Sequence, residues 1–362
     1  MRAAFVFIVF VHGLIHLMGF LKAFRLADIR ELTLHISGFA GMLWLCAACL
    51  FVMYGILMVT GVKYAWVVGL AAVVVSQILA IWFWKDARFA TIPNLLILTV
   101  AISAWGGQAF EKLTRRETQA AAAAVNRAGL SIFEEKVAAG LPEPVGRWLL
   151  ASGAVGREHV VSGLVTQKAR MKMKPGQEKW LHATASQITT VDPPAFVWTV
   201  NLQMNPLMHM AGRDKFVDGK GAMRILMNGL INVVNEAGEK LDEGTIQRYL
   251  GELVWFPTLA VSPLVTWEAL DEHSARATMT YMGTTGSGTF WFDAQGNFVR
   301  FSAWRYMGNE PESERREWVL TVDDYREFDG IRVPSKMKAT WRLEEGDWTW
   351  LDLEITDIQY NT

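Results

Sequence analysis

Two histidines interrupt the first apolar run of the chain at helical spacing. His12 and His16 lie four residues apart and therefore project from one face of a helix. Polar groups inside apolar segments are costly and often mark function. We expect the polar residues of neighbouring apolar runs to gather with these histidines towards one end of a helix bundle, the set being completed by His35, Gln77, Lys85, Asp86 and Asn94.

Four roles fit this membrane polar cluster. Haem ligation, quinone binding and proton transfer are the functional ones, and hydrogen bonding between helices with anchoring at the interface is the structural one. Axial haem ligation needs two histidines at matching depth on different helices. His12 and His16 share one helix and His35 lies nearer the interface, so the sequence favours the structural role.

Charged residues of the C-terminal two thirds form a second candidate set. Arg213 and Asp214 precede a predicted turn at Asp218, where they could anchor a ligand head group or form a salt-bridged hairpin. Arg248 and Glu252 are four residues apart on a predicted helix and could contact a ligand or form a surface pair. In both cases the sequence favours the ordinary ion pair. Acid–base catalysis by Asp214, Asp218 or Glu252 requires two of these carboxylates to converge in a cleft.

Tryptophan is abundant in the same part of the chain. An indole ring combines a large apolar body with one hydrogen-bond donor, which suits either a packed core or an aromatic-lined cavity. Arg305 and Tyr306 follow one of these rings and could form a polar gate to such a cavity. The tryptophans concerned are Trp198, Trp255, Trp267, Trp291, Trp304, Trp341, Trp348 and Trp350.

Several function classes find no support in the sequence. The chain has no phosphate-binding glycine loop followed by Lys-Ser/Thr, no Gly-x-Ser-x-Gly elbow and no zinc-type spacing of His and Cys, so no metal site is predicted. The near-neutral net charge of −1 gives no footprint for nucleic acid. Cys46 and Cys49 both lie in the second apolar run, which excludes a disulfide framework in the C-terminal part.

Four long apolar runs dominate the first hundred residues. Each reaches or approaches the ~20 residues that a helix needs to cross a bilayer. We therefore predict a four-helix transmembrane domain over residues 1–110, a helical connector over 111–140 and a soluble domain over 141–362. The runs are Ala3–Leu21, Ile36–Val59, Tyr64–Trp84 and Ile92–Ala109.

The charges that flank the apolar runs bear on which side of the membrane the soluble domain faces. An even number of spans places the N-terminus and the soluble domain on the same side, and the polar cluster is expected on the opposite side. Basic flanking residues are nearly balanced between the two sides, so the positive-inside rule does not decide. The group Lys112, Arg115 and Arg116 favours a cytoplasmic soluble domain. We expect a multi-pass protein of a bacterial inner membrane.

The soluble domain shows alternating patterns that predict antiparallel strands. One amphipathic helix is expected to begin at Asp242 and to end before Pro257, covering the apolar face of the sheet. The fold class is α+β: a transmembrane bundle followed by a curved, half-barrel-like sheet, with the default pocket under Leu250–Trp255. The predicted strands are Val161–Met173, Lys179–Val191, Ala195–Met204, Val265–Leu270, Ser274–Tyr281, Gly288–Phe292, Val299–Met307, Glu317–Phe328, Ile331–Arg342 and Trp348–Gln359.

Several motifs in this domain resemble those of a bacterial family of unknown function. They are LPEPVGRWL (141–149), DPPAFVW (192–198), GRDKFVDGKGAM (212–223), ELVWFPT (252–258), VTWEA (265–269) and EITDIQY (354–360). The resemblance implies a domain that is soluble in its own right, but it brings no activity and no catalytic residues. The order of strands and helix is also similar to the half-barrel of periplasmic lipoprotein carriers, which holds acyl chains.

Three hypotheses follow for function. The favoured one is a membrane-anchored module that binds an apolar or amphiphilic, lipid-like ligand between sheet and helix. The second is a membrane-associated enzyme that uses carboxylates of the soluble domain, and the third is a bundle that binds a quinone or haem. The expected partners are the lipid bilayer and a hydrophobic small molecule or lipid, with no nucleic acid; the sequence does not identify a cofactor.

Overall fold

A computed structural model describes residues 2–127, 131–205 and 207–362. The chain divides into two compact units. The first comprises Met1–Phe110 with Asn228–Leu230, and the second comprises Glu111–Met227 with Ile231–Thr362.

The first unit is helical because its sequence is almost entirely apolar over lengths that suit a bilayer. Its helices are α1 (Arg2–Ala23), α2 (Gly38–Thr60), α3 (Ala65–Trp82), the short α4 (Trp84–Ala87), a 3₁₀ turn (Arg88–Ala90) and the start of α5 (Thr91–Ala123). Four stretches are long and apolar enough to cross a membrane. A helix of 22 residues such as α1 spans about 33 Å, which covers the hydrocarbon layer.

Small residues allow α1 and α2 to approach closely. A Cβ atom added at Gly19 would lie 2.1 Å from the ring of Trp44, and one at Gly13 would lie 2.9 Å from Phe51. Close backbone approach at glycine is a common source of packing energy between helices in lipid. Helix α2 begins after Ser37, whose hydroxyl accepts a hydrogen bond from the Ala40 amide at 3.3 Å.

The second unit is built on one antiparallel sheet of thirteen strands. The chain forms two meanders, β1 to β6 and β7 to β13, which join where β1 pairs with β13. The predicted α+β class and half-barrel sheet are confirmed. The strands are β1 (Ser162–Met171), β2 (Leu181–Thr190), β3 (Ala195–Asn205), β4 (Met208–Val217), β5 (Lys220–Met227), β6 (Ile231–Ala237), β7 (Val265–Ala269), β8 (Ser274–Tyr281), β9 (Thr284–Phe292), β10 (Phe298–Tyr306), β11 (Arg315–Phe328), β12 (Ile331–Leu343) and β13 (Gly346–Tyr360).

Besides the end of α5, the described part of this unit contains three helices: α6 (Glu135–Ala138), α7 (Glu143–Ala151) and α8 (Glu239–Gly251). Helix α8 connects the two meanders and continues into 3₁₀ turns at Glu252–Trp255 and Pro257–Val261. It packs on strands β4, β5, β9 and β10. Its core face is fully buried through Ile246, Tyr249 and Leu250, which confirms a helix that covers the sheet.

The start of α8 differs from the prediction. The helix begins at Glu239 after Gly238, which has φ +135° and serves as the N-cap, instead of at Asp242. The Asp242 carboxylate accepts a hydrogen bond from the Gly221 amide at 2.7 Å and pairs with Lys220 at 2.9 Å. Asp242 therefore ties α8 to the β5 strand and does not cap its own helix.

The region predicted as a connector contains several elements. Helix α5 continues through Glu111–Ala123, and α6 follows at Glu135–Ala138. Residues 128–130 of this region lie outside the described residues. The boundaries at 110 and 140 stay predictions.

Candidate binding cavity

A cavity of about 530 Å³ lies inside the second unit, between the first turns of α8 and the concave face of the sheet. Leu241, Gly244 and Arg248 of the helix line the cavity, whereas Leu250 and Leu253 pack fully into the core. The cavity therefore extends from the start of the helix to Glu252 and Trp255, which belong to the predicted segment Leu250–Trp255. Six tryptophans line it: Trp198, Trp255, Trp318, Trp341, Trp348 and Trp350.

Strand register places the apolar wall. Met337 pairs with Leu353, Ala339 with Leu351 and Trp341 with Trp348 across β12 and β13. Because side chains alternate between the faces of a strand, every second position of β12 faces the cavity together with its partner on β13. On the next strand, β11, Trp318 pairs with Trp341 and Leu320 with Ala339, which extends the same wall.

Arg248 is the centre of a buried charge cluster at one end of the cavity. Its guanidinium donates to Asp214 Oδ2 at 2.7 Å, to Glu252 Oε1 at 2.7 Å and to Gln187 Oε1 at 2.9 Å. It also packs over the ring of Trp198, with 5.0 Å from Cζ to the ring centroid. Gln187 closes the circuit by donating to Glu252 Oε2 at 2.7 Å.

Burial and pairing act against each other in this cluster. Burial disfavours the charge of Arg248, but Glu252 and Asp214 outweigh it and raise the pKa of the guanidinium. Burial raises the pKa of the Asp214 carboxyl, although Arg248 opposes this effect. One oxygen of this carboxylate, Oδ1, has no partner among the described residues. Two predicted carboxylates thus converge at the cavity wall, and one arginine bridges them.

A second arginine, Arg305, lines the same cavity without such partners. Its Cζ lies 4.2 Å from the ring centroid of Trp318, a stacking distance. The structure gives it no ion pair with any described residue, and its buried Nε has no hydrogen-bond partner there. Burial lowers the pKa of Arg305 to about 10, so the guanidinium stays charged at neutral pH.

Lys240 organises the rim of the cavity. Its ammonium group donates to the carbonyl oxygens of Glu310 at 2.6 Å and Pro311 at 2.8 Å. The same group lies 4.8 Å from the ring centroid of Tyr306, and Arg315 lies 4.7 Å from that centroid. The β10–β11 loop is thus held against the start of α8.

The structure divides the predicted residues of this domain into two groups. Asp214, Arg248, Glu252, Trp255, Arg305 and Tyr306 all line the cavity. Arg213 does not, because it forms an ion pair with Glu117 at 3.0 Å. Trp304 is 64% exposed, since it alternates outward on β10 beside Arg305. Asp218 occupies the β4–β5 turn with φ +52°.

Gln187, Trp318 and Lys240 are among the residues of the site that were not predicted. Gln187 and Trp318 reach the site only through strand pairing, and Lys240 precedes the predicted helix start at Asp242. Trp318 and Leu320 occupy alternate positions of the predicted strand Glu317–Phe328, and this spacing was the available sequence signal that they share one face.

In the first unit, some of the predicted membrane polar cluster forms one hydrogen-bonded network. His12 Nε2 lies 2.9 Å from Asn94 Oδ1, Asn94 donates to Gln77 Oε1 at 3.0 Å, and Gln77 donates to Thr91 Oγ1 at 3.2 Å. His16 contacts the Ser76 hydroxyl at 2.9 Å and the carbonyl oxygen of His12 at 2.8 Å. None of these six side chains has a buried polar atom without a partner among the described residues.

The other members of that predicted cluster lie apart from the network. His35 and Lys85 are exposed. Asp86 accepts hydrogen bonds from the amides of Thr33 at 2.6 Å and Leu34 at 2.8 Å, which fixes the α1–α2 loop. Across the described residues, no group of three or more His, Cys, Asp or Glu side chains is arranged to hold a metal ion.

Comparison with known proteins identifies the family. The chain belongs to the DUF6544 family, a family of unknown function, whose model matches residues 131–353. The predicted resemblance to a family of unknown function is confirmed. No curated protein matches the chain.

Two solved structures resemble this chain weakly. One is a LolA superfamily protein from Nitrosomonas europaea, with 9% identity, 59% of this chain and 92% of that chain covered, and a TM-score of 0.29. The other is a beta-barrel-like protein of the domain of unknown function DUF1849 from Brucella abortus. It has 8% identity, 56% of this chain and 99% of that chain covered, and a TM-score of 0.21.

Proposed function

We propose that this member of the DUF6544 family binds an apolar or amphiphilic, lipid-like molecule in the cavity between α8 and the sheet. The observation that carries the proposal is the tryptophan-lined cavity of about 530 Å³. Its volume falls in the range of about 300–1,000 Å³ that is typical of small-molecule sites. The lining combines six indole rings and several aliphatic side chains with charged groups, which suits a molecule with a hydrocarbon part and a polar part.

Packing energetics support this proposal. Protein interiors are close-packed, and voids larger than a water molecule are few. Apolar side chains that border a cavity gain dispersion contacts when an apolar group packs against them. Indole rings such as Trp341 and Trp348 could fill space, yet here they border it. A ligand that occupies the cavity supplies such contacts.

The enzyme alternative has less support from the geometry. Asp214 and Glu252 converge, but both carboxylates bind the Arg248 guanidinium at 2.7 Å. A general base needs a free lone pair directed at its substrate. Glu252 uses both oxygens within the cluster, so Asp214 Oδ1 is the one unpartnered carboxylate oxygen of the described pair.

The four apolar stretches support membrane anchoring, and we extend this proposal to a bacterial inner membrane with a cytoplasmic second unit. The basic group Lys112, Arg115 and Arg116 supports that side. A cysteine introduced at Lys174 in intact spheroplasts should resist a membrane-impermeant maleimide and react after lysis. The unsubstituted chain, with Cys46 and Cys49, provides the background. Labelling before lysis would place the unit on the other side.

Photo-labelling tests the binding function directly. The full chain in phosphatidylcholine nanodiscs is photolysed with dodecanol that carries a diazirine at the end of its chain, and adducts are mapped by peptide mass spectrometry. We expect adducts on β12 and β13, including the Met337–Leu353 region. Met337→Trp should fill the cavity and reduce them.

The control for this experiment lies on the same strand. Lys336 neighbours Met337 but points to the opposite face and is exposed. Lys336→Trp should therefore leave labelling of β12 and β13 unchanged. Adducts confined to the apolar helices, or equal labelling in both variants, would refute the binding proposal.

A further inference from the structure

Arg305 has no ion-pair partner among the described residues, and three carboxylates near it are bound to other arginines. Asp214 and Glu252 are bridged by Arg248, and Glu243 pairs with Arg315 at 2.8 Å. Burying a charge without a partner is expensive, so such a group is rare unless it has a function. Of the charged groups named here, the Arg305 guanidinium is the one without an ion-pair partner among the described residues.

The stacking of Arg305 on Trp318 leaves its donors available. The guanidinium lies 4.2 Å from the indole ring centroid, and contact with an aromatic face does not use the N–H groups that lie in the guanidinium plane. Gly244 gives it room, since a Cβ atom there would lie 3.1 Å from Nη2. A stacked guanidinium of this kind presents a planar fork that matches the oxygens of a carboxylate or phosphate.

The other unpartnered polar atoms of residues that line the cavity are also mostly hydrogen-bond donors. Among the described residues that line it, four buried donors have no partner: Arg305 Nε and the indole nitrogens of Trp318, Trp348 and Trp350. The one unpartnered buried acceptor is Asp214 Oδ1. Unpartnered donors thus outnumber unpartnered acceptors among these lining residues. Anionic oxygen groups complement such a bias, whereas an ammonium group does not.

We propose that Arg305 is the head-group anchor of the cavity and that the ligand is an anionic amphiphile, with a carboxylate or phosphate on Arg305 and its hydrocarbon part along β12 and β13. This inference rests on the proposed binding function and deepens it by naming the class of ligand. Arg248 holds the wall together, and Arg305 selects the charge of the head group.

Competition against the neutral photo-probe tests the anchor. The full chain in phosphatidylcholine nanodiscs is labelled with diazirine-dodecanol at pH 7.5 in the presence of dodecanol, dodecanoate or dodecyl phosphate. In the unsubstituted chain, at least one anionic competitor should displace the probe from β12 and β13 about tenfold better than dodecanol, the scale of a charge-assisted hydrogen bond. Dodecanoate and dodecyl phosphate together distinguish the carboxylate from the phosphate.

Three variants assign the preference to one residue. Arg305→Gln should remove the anionic preference while the neutral probe still labels the cavity, and Arg305→Lys should keep part of it. Arg300→Gln is the matched control, because Arg300 lies on the same strand and packs over Trp291 at 4.5 Å but does not line the cavity. Its partner Glu317 also keeps an ion pair with Arg342 at 3.2 Å.

The outcomes separate the two proposals. Equal competition by dodecanol and both anions in the unsubstituted chain would overturn the anchor and leave the binding function standing. An anionic preference that survives Arg305→Gln would also overturn it. Absence of any probe adduct on β12 and β13 would refute the binding function itself, and the anchor with it.

Discussion

The two units of this chain each bury a polar cluster, and the clusters differ in whether their hydrogen bonding is complete. In the helical unit, His12, Asn94 and Gln77 satisfy one another in a chain that ends on Thr91. In the sheet unit, Arg248 completes a similar circuit, but Arg305 stands beside it without an ion-pair partner among the described residues. A closed network stabilises a fold; an open one is available to a ligand.

This difference assigns roles to residues of the same type. Arg248 has three hydrogen-bonded partners and holds β2, β4 and α8 together. Arg305 contacts the faces of Trp318 and Trp341, with 4.2 Å and 5.8 Å to the ring centroids, and no carboxylate of the described residues lies within ion-pair distance of it. The two arginines line one cavity, yet their removal should have unequal consequences for stability.

The largest effect is expected for Arg248→Met. The substitution leaves Asp214 and Glu252 as buried carboxylates without their counter-charge, a change that typically costs about 3–5 kcal/mol. Hydrogen exchange of the α8 peptides, followed by mass spectrometry on the full chain, should report this loss of local stability. Adding Asp214→Asn and Glu252→Gln should recover much of it. A single variant as stable as the unsubstituted chain would show that the cluster is not a structural circuit.

The defect of Arg248→Met should depend on pH. Burial raises the pKa of Asp214 in the folded chain, so the folded state binds more protons than the unfolded state between about pH 4 and the raised value. Stability in that window therefore rises as pH falls. Without Arg248 to oppose burial, the pKa of Asp214 rises further in the variant. The free energy of unfolding of the variant should therefore increase from pH 8 to pH 5, by about 1.4 kcal/mol for each additional unit of pKa shift. Hydrogen exchange at the two pH values measures it, and a defect that is constant or grows on acidification contradicts the burial argument.

Asn94→Leu tests the closed network of the bundle. The substitution leaves His12 and the Gln77 carbonyl without their partners, and interhelical hydrogen bonds in membranes contribute about 0.6–2 kcal/mol. An unfolding titration with sodium dodecyl sulfate in mixed micelles should show a loss of that size. Leu95→Ala, at an exposed position of the same helix, is the control. An unchanged titration, or a gain in stability, would mean that the network is not structural.

The smallest effect on stability is expected for Arg305→Met. No carboxylate of the described residues loses an ion-pair partner, so the change in unfolding free energy should stay within about 1 kcal/mol or favour the variant. The same exchange measurement on α8 and β10 peptides gives the value. A loss as large as that of Arg248→Met would make Arg305 a structural residue and remove the contrast between the two arginines.

Much of the fold could be predicted from periodicity. Strand β8 (Ser274–Tyr281) alternates buried and exposed positions because one face of the sheet covers the core. The three strands β4 to β6 were not predicted, because they lack this alternation; β6 is mostly exposed at the sheet edge. Their turns carried the better signal. Asp218-Gly219 and Asn228-Gly229 have φ between +51° and +72°, as expected for tight hairpins.

The site was less accessible to sequence reasoning than the fold. The helical spacing of Arg248 and Glu252 predicts their contact, since residues four apart share a face. The approach of Gln187 and Asp214 to Arg248 depends on the pairing of β2 with β3 and of β3 with β4. Local spacing does not encode such register. Nor does it distinguish Arg213, which pairs with Glu117, from its neighbour Asp214 in the cavity wall.

A crystal structure of the full chain with bromine-labelled dodecanoate tests the binding cavity most directly. Anomalous scattering locates the bromine, and we expect it between Met337 and Leu353, with the carboxylate within hydrogen-bond distance of Arg305. Met337→Trp crystals should lose the bromine peak. Bromine found solely against the apolar helices, with the cavity closed by its own side chains, would contradict the proposed function.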